Sequence, residues 1–408
     1  MHAYSVYLHI PFCRHRCAYC DFNTYAGQEA RIPDYVAALQ REVHFLTDTA
    51  PERFPVHTVY FGGGTPSLLP VLAFEQTLKT LSRCFELTPD TEISIEANPG
   101  TLSPAYLREL RATGVNRLSL GMQSADIHEL IFLERQHQFE DVCNAVDWAR
   151  QAGFDNLNLD LIFGLPEQHI ETWEASLSQA LALSPEHFSL YALTIEHGTP
   201  LGRQAALGLI RAPDPDLAAE MYELAGERLA EAGYMQYEIS NWAQGKVESG
   251  MRNAETLSAP HSVHLACRHN LQYWRNRPYF GFGAGAHGFV GGFRTVNVLA
   301  PGSYIRRLQK ATTPLSFPRT PATVSVQPID RQTEMNETMM MGLRLTQTGV
   351  SRAAFKARFD QDMNSIFGEQ IKKLIEWDLL EWAGLENDIL RLTPHGYLLG
   401  NQVFREFV

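Results

Sequence analysis

Cys13, Cys17 and Cys20 stand in the order C-x₃-C-x₂-C within HIPFCRHRCAYCDF. That spacing places three thiolates on one short loop. A [4Fe–4S] cube has four irons and normally takes four cysteine ligands. Three cysteines with no fourth nearby leave one iron open, and an open iron is where a small molecule can bind and be reduced. The competing reading is zinc, which usually needs four ligands in two paired arms. The other cysteines, Cys84, Cys143 and Cys267, are single. Cys84 and Cys143 lie in helical patterns and are expected to be small buried hydrophobes. Spacing alone favours the cluster and leaves zinc open.

Such a loop needs a scaffold. Short β-rich runs at Tyr4–Ile10, Val56–Phe61, Glu92–Ile95, Arg117–Leu120, Leu157–Phe163 and Phe188–Leu193 alternate with helical patterns. The helical stretches are Tyr35–Leu46, Phe74–Phe85, Tyr106–Thr113, Asp141–Ala152 and Thr172–Leu183, with another at Leu217–Ala232. Six βα repeats predict parallel strands with crossover helices. They are too few for an eight-fold barrel, so the expected fold is α/β, a partial, open (β/α)6 barrel. Informative residues fall at the ends of its strands, where parallel barrels place chemistry: Gly62–Gly64 and Thr65, Glu96, Gln123, Asp160 and Ala192. Any one strand-end carboxylate is more often a cap or an ion-pair member; it is the set that points to a site.

From about Asp330 the pattern changes to helices near Thr333–Leu343, Ser351–Phe359 and Ser365–Glu376. Short β pieces at Leu380–Ala383 and Ile389–Leu392 follow. This predicts a C-terminal α+β winged-helix-like domain. The expected division is 1–240 for the barrel, 241–329 for an insertion and barrel-closing segment, and 330–408 for the C-terminal domain.

The chain has 408 residues, 45% apolar and 20% charged, with a net charge of −12. The acidic balance argues against nucleic acid as a partner, and Lys372 and Lys373 sit among acidic residues. No apolar run approaches a membrane span, the N-terminus lacks the pattern of a secretory signal, and six cysteines do not make a disulfide framework. A reducing cytoplasm is expected.

The cysteine loop resembles the signature of the radical S-adenosylmethionine (SAM) superfamily, whose open iron chelates the amino and carboxylate groups of SAM. With that resemblance the strand-end residues acquire roles. Gly63 and Gly64 would let backbone approach the ligand ammonium. Glu96 and Asp160 suit the ammonium and the ribose hydroxyls, and Gln123 can donate and accept. Arg135 suits the SAM carboxylate, and Tyr19 can cover the adenine.

YLHIPFCRHRCAYCDF, FGGGTPSLL, ISIEANP, SLGMQS, NLDLIFGLP and YEISNWA together resemble the oxygen-independent coproporphyrinogen III oxidase family of radical SAM proteins. The resemblance covers nearly the whole chain. It implies that Tyr7, Cys13, Cys17, Tyr19, Cys20, Gly63, Gly64, Thr65, Glu96, Gln123, Arg135, Asp160 and Ala192 line the cluster and SAM.

Two departures separate this chain from the oxidases: Phe22 stands where they carry a further cysteine, and only twelve residues precede Cys13. Both match a sister branch, the HemW-type proteins, which bind heme and pass it to respiratory hemoproteins, membrane proteins among them. His269-Asn270-Leu271-Gln272-Tyr273-Trp274 resembles the heme-binding motif of that branch. An imidazole can ligate heme iron axially, and the two aromatics offer flat apolar area; alternatively these residues merely pack. The expected function is therefore heme chaperone, with [4Fe–4S], SAM and heme as cofactors and an electron donor as a further partner. Coproporphyrinogen III oxidation, or radical SAM chemistry on an unrelated substrate, is the alternative. A polar stretch, Ala243–Arg268, reads as a surface insertion whose His261, His264 and Cys267 could add ligands. Gly283-Ala-Gly285-Ala-His-Gly288 fits G-x-G-x-x-G but precedes a strand-like Phe289–Asn297, so it is not a dinucleotide fingerprint.

Overall fold

The computed structural model describes residues 3–245 and 265–408. The chain divides into two compact units, Met1–Ala225 with Pro278–Pro328, and Gly226–Arg277 with Ile329–Val408. The stretch expected as one segment at 241–329 is thus shared between the units, and the divisions fall at 225/226, 277/278 and 328/329 rather than at 240/241 and 329/330.

The first unit carries six parallel strands: β1 (Tyr4–Ile10), β2 (Pro55–Gly63), β3 (Glu86–Ala97), β4 (Arg117–Gln123), β5 (Leu157–Phe163) and β6 (His187–Ala192). Five helices cross between them: α1 (Ile32–Thr47), α2 (Val71–Cys84), α3 (Pro104–Ala112), α4 (Phe139–Gln151) and α5 (Ile170–Ala182). The expected elements are all present, most of them a few residues longer. On the other side of β1 the sheet continues through β7 (Tyr279–Phe282), β8 (His287–Val290), β9 (Phe293–Asn297) and β10 (Thr323–Pro328); β7 runs parallel to β1 and the rest are antiparallel. The single strand expected at Phe289–Asn297 is a hairpin. Gly291 and Gly292 both take positive φ (62° and 77°) between Val290 and Phe293, the conformation a two-residue hairpin loop demands.

Strand register explains how the sheet positions a site. Ser5 pairs with Thr58, Thr58 with Glu92, Ser94 with Arg117, Glu96 with Ser119, Ser119 with Asn158, Gly121 with Asp160 and Asn158 with His187. Side chains alternate across a strand, so these residues share one face. Val6, Leu8, Ile10, Val59, Phe61, Ile95, Leu118, Leu120, Leu157, Leu159 and Leu161 occupy the other and are fully buried. Each such burial stabilises by about 1.5–3 kcal/mol. Parallel sheets are usually apolar on both faces. Here the other face is polar, as the lining of a ligand cavity would be.

A second feature ties β7 to α1. Glu42 is wholly buried on α1, with Oε2 accepting from Gly283 N (2.8 Å) and Tyr304 Oη (2.6 Å) and Oε1 from Asn297 Nδ2 (2.7 Å) and Thr320 Oγ1 (2.9 Å). The glycine-rich run Gly283–Gly288 serves this packing. A Cβ on Gly283 would stand 2.6 Å from His9 O and 2.7 Å from Tyr35 Oη.

In the second unit a three-stranded antiparallel sheet, ordered Val350–Ser351, Ile389–Leu392, Leu380–Ala383, packs with helices Arg331–Gly342, Arg352–Phe359 and Met363–Glu376. Met335, Met339, Leu343, Phe355, Phe359, Phe367, Leu390 and Leu392 form its core. Ser351 caps its helix as expected, accepting from Ala354 N at 3.3 Å. The first strand was too short to read from sequence. Lys373 is paired with Glu406 at 2.9 Å and Lys372 faces Glu376 at 3.9 Å, so neither is a bare cation. Among the described residues no helix is long and apolar enough to cross a membrane.

Candidate functional site

The cysteine loop leaves β1 through Phe12–Cys13, a short strand that pairs with Tyr25–Ala26. Cys20 N donates to Cys17 O (3.1 Å), closing a turn between the last two cysteines. All six cysteines are free thiols. Among the described residues no three His, Cys, Asp or Glu side chains are gathered as a single metal ion requires. The thiols are nevertheless near enough to interact: burial pushes the Cys13 thiol up, and Cys17 and Cys20 add to that rise. Cys84 and Cys143 correct the expectation of buried thiols: both are only half-buried, and Cys84 Sγ lies 3.5 Å from His44 Nδ1. They lie on helix faces that border solvent, which helical pattern alone did not reveal.

Two donors approach the sulfurs. Thr65 Oγ1 donates to Cys13 Sγ (3.6 Å) and Arg135 Nη1 to Cys17 Sγ (3.6 Å). Both stabilise thiolate, since hydrogen bonds to the charged form favour it. Thr65 is itself fixed by its N–H to Phe12 O (2.8 Å). The glycines have a packing role beyond the expected ligand approach. A Cβ on Gly64 would meet Phe12 O at 2.7 Å and Cys13 Sγ at 3.0 Å, and one on Gly63 would meet the His9 ring at 2.5 Å. Gly63 also takes φ +117°, open to glycine alone without strain.

Arg135 is the hub of one side of the site. Its Nη2 donates to Gly121 O (3.0 Å), and its charge acts on the Tyr19 hydroxyl. The absence of a Cβ on Gly121 makes room: such an atom would lie 2.8 Å from Gln123 Nε2 and 3.1 Å from Arg135 Nη2. Gln123 and Arg135 therefore meet over the end of β4. Gln123 sits at φ 66°, a left-handed conformation costing a non-glycine residue on the order of 1 kcal/mol or more. Arg135 Nε is buried without a partner. An orphaned guanidinium N–H beside an amide and the thiols is the donor set a ligand carboxylate would satisfy. Tyr19 packs against Leu133, Ile162, Leu165 and Leu193, and burial pushes its hydroxyl up while Arg135 pulls it down.

Glu96 and Asp160 form the other side. Glu96 Oε1 accepts from Tyr60 Oη (2.8 Å) and Oε2 from Gly63 N (2.9 Å). Burial pushes its carboxyl up to about 7, the Gly63 amide and Tyr60 hydroxyl pulling down and the Asp160 charge pushing further up. Asp160 accepts from Asn158 Nδ2 (2.7 Å) and Ser119 Oγ (3.0 Å). Burial raises it too, against these bonds. Arg117, almost wholly buried, acts on both carboxylates as counter-charge. Tyr7 Oη lies 3.0 Å from His9 Nδ1 and its ring stacks on Tyr60 at 6.3 Å. Ala192 ends β6 opposite Phe163, exposed, with only backbone groups to offer.

Most of the expected residues of the first unit fall into three groups: Cys13 with Cys20, Gly64 and Thr65; Cys17 with Tyr19, Gln123 and Arg135; Tyr7 and Gly63 with Glu96; Ala192 joins none of them. Asp160 acts on the last group. Tyr60, Arg117, Ser119 and Asn158 were not anticipated, nor was His137, buried with Nε2 at 3.0 Å from Met122 O beside the Arg135 turn. The polar alternation inside β4 and β5 was the signal for Arg117, Ser119 and Asn158.

His269 belongs to the second unit, on the helix Arg268–Trp274. It is buried, and its Nε2 is hydrogen-bonded to Tyr273 Oη at 3.0 Å, the rings meeting edge to face. His261 and His264 lie outside the described residues.

The chain matches the radical SAM superfamily over residues 7–180 and the HemN C-terminal domain over residues 329–399. It is 36% identical to heme chaperone HemW of Bacillus subtilis, over 99% of each chain. It is 36% identical to heme chaperone HemW of Mycobacterium tuberculosis, over 98% of this chain and 94% of that one. Identity to the mitochondrial radical S-adenosyl methionine domain-containing protein 1 of Bos taurus is 34%, covering 93% of this chain and 84% of the other. Among solved structures, the Escherichia coli coproporphyrinogen III oxidase HemN superposes with a TM-score of 0.79 at 22% identity, over 99% of this chain and 90% of that one. That last likeness shows the fold.

Proposed function

The chain belongs to the HemW family of radical SAM proteins, and from that premise we propose that it carries a [4Fe–4S] cluster and SAM, binds heme, and passes heme to other hemoproteins. Cys13, Cys17 and Cys20 would hold the cluster. Arg135 and Gln123 would take the SAM carboxylate, Glu96 the ammonium, Asp160 the ribose hydroxyls, and Tyr19 and the backbone at Ala192 the adenine end. When bound, the cluster supplies an electron at its open iron. Thr65 and Arg135 steady two of the thiolates, and Gly63 N–H and Tyr60 Oη hold the Glu96 carboxylate in place. An electron donor is a required partner of that chemistry. A reducing, cytoplasmic setting suits six free thiols.

His269 is the axial-ligand candidate. Ligation through Nε2 would exchange the Tyr273 hydrogen bond for iron. The recipients we propose are respiratory hemoproteins.

The observation that carries heme transfer is the end-to-end likeness to heme chaperones at 36% identity. Oxidation of coproporphyrinogen III is the second reading, favoured by the fold likeness to HemN. Phe22 weighs against it, since it stands exposed where the oxidases are expected to carry their further cysteine. The test is turnover. Anaerobically reconstituted protein given SAM, a reductant and coproporphyrinogen III should yield no protoporphyrinogen IX; steady SAM-dependent conversion would establish the oxidase reading instead.

A further inference from the structure

The second unit holds four buried polar atoms without partners among the described residues: Glu238 Oε2, Asn241 Oδ1, Trp274 Nε1 and Arg344 Nε. They come from separate segments. Glu238 and Asn241 belong to the YEISNW run, Trp274 ends the HNLQYW helix, and Arg344 follows the helix Arg331–Gly342. They are nevertheless one cluster. The Arg344 guanidinium lies over the Trp274 ring at 4.6 Å and beside Phe404 at 5.2 Å. The Asn241 amide donates to Glu238 Oε1, and the Arg344 charge acts on Glu238. Glu238 and Asn241 are almost wholly buried, while Trp274 and Arg344 are half-buried, so the stack borders solvent.

Native proteins rarely leave buried donors unmade, because each costs about 1–3 kcal/mol. Two orphaned N–H donors in one stacked pair, one of them on a permanent cation, describe a receptor for a carboxylate. A guanidinium gripped between two aromatic faces is already ordered, so less rotamer freedom is lost on binding. Resting on the heme reading above, we propose that Arg344 and Trp274 anchor a propionate carboxylate of heme. Arg344 supplies the charge, and the indole N–H supplies the second hydrogen bond. Glu238 is buried and under the influence of the Arg344 charge; burial raises its carboxyl, which lessens its repulsion of an incoming propionate.

The experiment is a spectroscopic titration of the full-length protein with heme and with heme dimethyl ester, which keeps the macrocycle and iron but has no carboxylate. Wild type should bind heme about tenfold more tightly than the ester. Arg344→Met, which keeps an apolar stem between the rings, should lose about that factor for heme and nothing for the ester. Trp274→Phe keeps the ring and removes the N–H, and should lose a smaller factor, again for heme only; it carries the test should Arg344→Met fail to fold. Wild type that binds ester and heme equally, or variants that weaken both alike, would overturn the propionate assignment and leave heme binding standing. Wild type that binds neither would remove the heme reading and this proposal with it.

Discussion

Glu96→Gln separates the stability role of this carboxyl from its ligand role. In the folded protein burial holds Glu96 at about 7, against an ordinary value of 4.5. The folded state therefore holds the proton more tightly than the unfolded chain. Stability from this group is present below about pH 4.5 and is lost as pH rises toward 7. The displacement of 2.5 units, 7 minus 4.5, corresponds to about 3 kcal/mol at most. Glutamine cannot ionise but has one acceptor where Glu96 uses two, for Tyr60 Oη and Gly63 N, which costs about 1 kcal/mol. Urea unfolding of the metal-free protein should therefore show curves that cross. The variant should be about 1 kcal/mol less stable at pH 4, about equal at pH 5 and about 2 kcal/mol more stable at pH 8. SAM binding to reconstituted wild type should strengthen about tenfold from pH 6 to pH 8, following ionisation around 7, and the variant should bind weakly at both. Parallel stability curves for wild type and variant between pH 5 and pH 8 would refute the reasoning.

Arg135→Met should weaken SAM binding by at least tenfold, about 1.5–3 kcal/mol for a charge-assisted pair, measured by the SAM-induced change in the reduced cluster's paramagnetic resonance spectrum and normalised to the iron loaded. Gly64→Ala should lower cluster content sharply, because its Cβ would meet Cys13 Sγ at 3.0 Å and Phe12 O at 2.7 Å; iron and sulfide analysis after reconstitution reads this directly. Glu42→Ala strands four donors and should cost about 3–5 kcal/mol, seen as a lower urea midpoint. His269→Ala should shift or weaken the Soret band of bound heme, and an unchanged band would remove His269 as the axial ligand.

The strands and crossover helices of the first unit were legible because each is a strong period of 2 or 3.6 over several residues. The cysteine loop was legible because three thiols at that spacing have few other uses. The support beneath the site was not. Arg117, Ser119 and Asn158 lie inside runs that were read only as strands, and only the register of β3, β4 and β5 shows them sharing the face that carries Glu96 and Asp160. Nothing in the sequence singled out Glu42, because its four partners are contributed from Gly283 to Thr320. The role of the glycines was half seen: freedom of approach was expected, but what approaches in the structure is His9 and the Cys13 loop. The second unit hid its shortest strand, two residues at Val350–Ser351, below the length at which alternation can register.

Heme transfer itself is the most direct test of the account. The reconstituted protein is loaded with heme, cleared of free heme, and mixed with the apo-form of a respiratory hemoprotein across a dialysis-tight filter and, separately, in free contact. The account predicts about one heme held per chain and movement of the Soret band to the acceptor only in contact. A protein that retains no heme after clearing, or whose heme reaches the acceptor equally well across the filter, would contradict it.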